Sequence, residues 1–162
     1  MLIDTKFFLQ RFFIIFSCFS YSILKSFKLG SFNNYKKIYD WIKEIRNIAV
    51  SKDCIDLCDS FIGNILSTSI EEEGVFPPKG IANIIDEINS KDLNLQFKIG
   101  IYNSRGVYSK SLYEGGIQEL ELARKYGEYS DKLKFDYPIT SKLLMEIKNN
   151  YEKESYREDE SV

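Results

Sequence analysis

Isoleucine recurs at positions 81, 84, 85 and 88. This i, i+3, i+4, i+7 spacing lines four branched side chains along one face of an α-helix. A strand cannot use the pattern, because successive residues of a strand point to opposite faces. The same period recurs through the chain. Ile38, Trp41, Ile42, Ile45, Ile48 and Ala49 form a stripe with lysines opposite, and Asn34 is placed to cap a helix ending near Ser51. Ile55, Cys58, Ile62, Ile65 and Leu66 mark a second helix from about Asp53 to Ser67, with Asp53, Asp56 and Asp59 on its solvated side. Pro77-Pro78 opens the Ile81 helix, as proline suits a first turn. A further helix is predicted over Ile117–Leu133 with Ile117, Leu120, Ala123, Tyr126 and Leu133 as its apolar members. Tyr137-Pro138 then starts another, carrying Ile139, Leu143, Leu144, Ile147 and Tyr151.

Between these helices the period changes. Leu95, Phe97, Ile99 and Ile101 alternate with Gln96, Lys98, Gly100 and Tyr102, which predicts a half-buried strand. Asn103-Ser104-Arg105-Gly106 has turn chemistry, and Val107 to Tyr113 is expected to return, until Glu114-Gly115-Gly116 breaks the strand. The predicted fold is therefore mostly α, with five or six helices and one antiparallel β-hairpin packed on them. Residues 1–30 are expected as an apolar N-terminal helix, 31–155 as a single helical domain with its hairpin at 95–113, and 156–162 as a charged tail.

The N-terminal segment runs from Phe12 to Leu24 without a charge, between Lys6 and Arg11 on one side and Lys25 and Lys28 on the other. That is short of the ~20 residues that a membrane span needs. A core or partner-binding helix, membrane contact through residues 7–24, a signal segment and a truncated start all remain open. The corresponding localisation is cytoplasmic, or membrane-associated through this segment.

Histidine is absent from the 162 residues. This removes Ser-His-Asp and Cys-His catalysis and any His-ligated zinc site. Cys18, Cys54 and Cys58 are too few for a four-cysteine metal site and odd in number for a disulfide framework. No cofactor or metal is expected. Residues 1–52 hold nine Lys/Arg against three Asp/Glu, while residues 53–73 hold six acids and no base. These blocks can match each other within the molecule. The basic block is rich in Phe and Ile and poor in Arg, so no nucleic acid is expected as partner.

Two candidate surfaces surround GIYNSRGVYSKSLYEGG, residues 100–116. Arg105, Lys110 and the Gly115-Gly116 helix start could hold a phosphate or carboxylate, because helix N-termini and arginine forks favour anions. Glu114 and Glu119 compete for the same place, and Arg105 pairing with one of them is the more economical arrangement. Tyr102, Tyr108 and Tyr113 could instead form an interaction surface, as tyrosine is enriched in protein contacts.

The runs EEEGVFPPKGIANIIDEI, GIYNSRGVYSKSLYEGGIQELELARKY, YPITSKLLMEI and SYRED resemble a segment near the C-terminus of long, uncharacterised bacterial proteins. The likeness spans about residues 71–160. It implies a stand-alone or truncated relative of a larger protein's tail, and no activity comes with it. The sequence therefore favours a non-catalytic protein-interaction or structural module over an enzyme, binding another protein or a second copy of itself. The alternative is an anion- or nucleotide-binding domain using Arg105 and the Gly115-Gly116 helix start.

Overall fold

The computed structural model describes residues 32–106 and 116–159. Six helices occupy them: α1 (Phe32–Ser51), α2 (Ile55–Ser67), α3 (Lys79–Ile88), α4 (Lys91–Ser104), α5 (Ile117–Leu133) and α6 (Pro138–Asp159). The isoleucine stripe of α3 forms as its spacing demands, burying Ile81, Ile84 and Ile85 with Ala82. One hydrophobic cluster draws on all six helices, from Ile38 and Ile42 on α1 to Leu144 and Ile147 on α6. α6 continues to Asp159, so part of the charged tail is helical. The apolar segment 7–24 lies outside the described residues, and among those described no helix is long and apolar enough to cross a membrane.

The expected β-hairpin is corrected. Among the described residues the only β feature is an isolated bridge between Glu72 and Val75, and the predicted first strand is part of α4. Leu93, Phe97 and Ile101 recur every four residues and are fully or almost fully buried, with Gly100 beside them. Leu95 and Ile99, counted earlier as inward, are 49% and 38% exposed. The helix wins because it buries three large side chains against existing helices, worth about 2 kcal/mol each. A two-stranded hairpin would have had no sheet to join. Gly106 ends the helix in the left-handed region at φ 65°, so the turn residues serve as a helix stop. The return strand at 107–113 falls outside the described residues.

Two helix pairs carry most of the packing. α2 and α4 run parallel, and their backbones nearly touch. A Cβ placed on Gly63 would press on the Leu93 carbonyl and reach 3.0 Å from the Phe97 nitrogen, and one on Gly100 would lie 2.7 Å from the Ser67 Cβ. α5 and α6 form an antiparallel hairpin. Gly116, at the start of α5, packs on the Ser155 backbone near the end of α6, where an added Cβ would lie 2.5 Å from the Ser155 Cα. At the other end the hydroxyls of Ser130 and Ser141 lie 2.8 Å apart, and each also donates to the other's backbone carbonyl at 2.9 Å.

α3 fixes the start of α6. The Asp86 carboxylate accepts the Ile139 and Thr140 amides at 2.9 and 2.8 Å and the Thr140 hydroxyl at 2.6 Å. A helix's first amides have no partner within the helix, and here another helix supplies the cap. Arg46 on α1 binds Asp59 on α2 through two bonds, Nε to Oδ1 at 2.7 Å and Nη2 to Oδ2 at 3.1 Å. The basic and acidic blocks thus meet inside the molecule. Asp59 is 3% exposed, not on a solvated face as its spacing suggested. The bidentate arginine offsets the cost of burying it.

Candidate functional site

Arg105 and Gly116 serve the core. Arg105 Nη2 donates to Glu119 Oε1 at 2.7 Å, and Glu119 is 1% exposed. The pairing between Arg105 and a neighbouring glutamate that the sequence suggested is therefore present, joining the end of α4 to the first turn of α5. The guanidinium also lies 5.7 Å from the centre of the Tyr151 ring. Gly116 is buried against Ser155. Lys110 and Gly115 lie outside the described residues, as do Tyr108 and Tyr113.

Tyr102 is half-buried in an aromatic column. Its ring is 5.4 Å from Tyr151, which stacks on Tyr126 at 5.8 Å, and its hydroxyl accepts a hydrogen bond from Asn150 at 2.9 Å. Phe76 continues the column toward Phe97 and Tyr129. Burial pushes the Tyr126 phenol up to about 12, out of range for acid–base work near neutral pH. Burial likewise pushes the Cys58 thiol up to about 11, with the Asp59 charge adding to the effect. A thiol held protonated is a poor nucleophile. Among the described residues no group of three or more acidic, Cys or His side chains could hold a metal ion.

A different region is open to a ligand. The turn Glu72-Glu73-Gly74-Val75 reverses the chain with φ 51° at Glu73 and 71° at Gly74. Tyr35 donates to Glu72 at 2.7 Å from one side, while Tyr129 donates to Glu71 from the other. Lys132 binds the Gly74 carbonyl at 2.7 Å. Burial first, and then the Glu72 hydrogen bond, holds the Tyr35 phenol well above its ordinary range. The Tyr35 side chain packs closely on α3 because Gly80 has no side chain; a Cβ there would sit 2.8 Å from the Tyr35 Cβ. The result is a groove of about 740 Å³ between α1, α3 and the turn, with Tyr39, Tyr137, Val75 and Ile84 in its lining and Lys36, Lys79 and Glu73 among its charged groups.

The sequence did not reveal this groove. Its residues come from four separated segments, and the only local signal was the Glu-Gly pair at 73–74 next to an aromatic-proline entry. Against protein-family models, curated proteins and solved structures, the chain finds no match.

Proposed function

We propose that this chain is a non-catalytic protein-interaction module. The observation behind the proposal is the outward placement of apolar pairs on its helices. Leu95 and Ile99, one turn apart on α4, are 49% and 38% exposed, and Ile117 and Leu120 on α5 are 57% and 54% exposed. Helical spacing puts each pair on one face, and grouped exposed apolar side chains are characteristic of protein contact sites. The buried carboxylates Asp59 and Glu119 hold arginines, so they carry structure, not chemistry.

A photo-crosslinking amino acid at Leu95 or Leu120 should yield discrete adducts with a protein, either another chain or a second copy. The same probe at exposed Lys153 should not. Equal labelling at all three positions would defeat the proposal. A thermal-shift screen with nucleotides and inorganic phosphate is expected to leave the melting temperature unchanged, and stabilisation by several degrees would favour a ligand-binding domain instead.

A further inference from the structure

We propose that this chain pairs with a second copy of itself, each copy seating Phe135 in the groove between α1 and α3 of the other. The pairing goes beyond the interaction reading above and uses none of the four side chains behind it. Phe135 is 87% exposed, more than any other large apolar side chain among the described residues. It stands at the tip of the α5–α6 hairpin, where the Tyr137 amide donates to the Leu133 carbonyl at 2.8 Å and pins the two ends of the tip. A projecting ring on a fixed tip is the kind of aromatic anchor that fills a partner's pocket. Ring and groove share one surface. Tyr137 lines the groove and is two residues from Phe135, at most about 7 Å along the chain. Lys132, one turn before Phe135, binds the Gly74 carbonyl between groove-lining Glu73 and Val75. A two-fold pairing needs knob and hole on the same patch, because each copy then gives what it receives.

The charges fit the same occupant. The groove carries Lys36 and Lys79 against Glu72 and Glu73, so its net charge is zero and it steers neither an acidic nor a basic partner. Lys134 and Asp136 flank Phe135, with Asp131 3.4 Å from the Lys134 ammonium, so the knob is mixed in sign as well. Two mixed rims let opposite charges meet across a two-fold axis. The floor offers Val75, Ile84 and tyrosine rings, and about 740 Å³ holds a benzyl group with room to spare. One phenylalanine buries roughly 150–250 Å², so two anchors alone fall well short of the total of about 1,600 Å² in a stable interface. Charged rims add little affinity, and the pairing is therefore concentration-dependent, not permanent.

The test is sedimentation velocity of the full chain at rising concentration, where the mean mass should climb toward that of two chains. Phe135→Ala should weaken the pairing at least about hundredfold, since the dimer loses two anchors of about tenfold or more each. Asn83→Trp, which fills the groove from an exposed position on α3, should do the same. Mixed in equal amounts, the two variants should pair with each other, one supplying the knob and the other the open groove. Both positions are exposed, so circular dichroism should show the helices intact. A chain that stays single at every concentration, pairing unchanged in either variant, or a mixture no heavier than its components would each overturn the assignment. Pairing lost only in Leu95→Glu would overturn it as well, yet leave the interaction module standing. Failure of that module is read separately, from the crosslinking.

Discussion

Along α2 and α4 the two backbones meet at Gly63 and Gly100, with Leu93 and Phe97 packed around the contact. Along α5 and α6 they meet at one end where Gly116 packs on the Ser155 backbone and at the other through Ser130 and Ser141, whose hydroxyls each donate to the other's carbonyl. The first seam is held by dispersion and area, so it depends on the absence of atoms. The second is closed by a glycine at one end but by partnered hydroxyls at the other, so there it depends on the presence of specific groups. Equivalent changes should therefore have unequal and even opposite effects in the two pairs.

The largest effect is expected at Gly63→Ala. The new methyl meets the Leu93 carbonyl and the Phe97 amide nitrogen, which are backbone and cannot rotate away. Urea unfolding should show a loss of about 3 kcal/mol. A loss under about 1 kcal/mol would mean that the parallel seam can slide, and the contrast with α5–α6 would collapse. Next comes Asp86→Ala. It strips three hydrogen bonds from the start of α6, and a cost of about 2 kcal/mol is expected. Hydrogen exchange should accelerate at Ile139 and Thr140 while α4 stays protected.

The α2–α4 seam also shows how far the sequence could be read. The helical stripes of α1, α3 and α6 were legible, and Ile117–Leu133 was bounded at the right residues, because its Gly-Gly entry and its period agree. The failure at 95–101 arose because Leu95, Phe97, Ile99 and Ile101 satisfy an alternating pattern, while Leu93, Phe97 and Ile101 satisfy a helical one. Only the tertiary partner decides, and that partner is a glycine on α2. The inward assignment of Ile117 and Leu120 failed for a related reason. Buried Glu119 takes the inner face, an outcome that requires Arg105 to arrive from another helix. Of the candidate site, Arg105 and its glutamate were readable locally. The groove was not, since its lining is drawn from four separated segments.

The third test sharpens the comparison by sign. Gly127 lies within α5, and a Cβ there would meet only the flexible Lys148 side chain, at 3.3 Å. Gly127→Ala should therefore raise stability by about 0.5–1 kcal/mol. Destabilisation would show that the middle of α5–α6 is as tightly closed as the α2–α4 seam.

The smallest effect is electrostatic. The Tyr129 hydroxyl, aided by Lys125 and Lys132, holds the Glu71 carboxyl below its ordinary value of 4.5. Tyr39 and then Asn83 do the same for Glu87. A lowered folded-state value means that the unfolded chain takes up the proton first as pH falls. This share of stability is thus present above about pH 4.5 and lost below it. In Tyr129→Phe the Glu71 titration followed by NMR should move up toward its ordinary value, whereas an unmoved midpoint would remove the hydroxyl as cause.

The parallel course of α2 and α4 also constrains the length of the intervening chain. At about 1.5 Å per residue the 13-residue α2 is about 20 Å long, and the chain must travel back that distance before α4 can run alongside it. The 10 residues of α3 lie within that return, packed on α1 and α6 and not along α2. The parallel pair is therefore closed by a chain that leaves its own seam and crosses the rest of the core before it comes back.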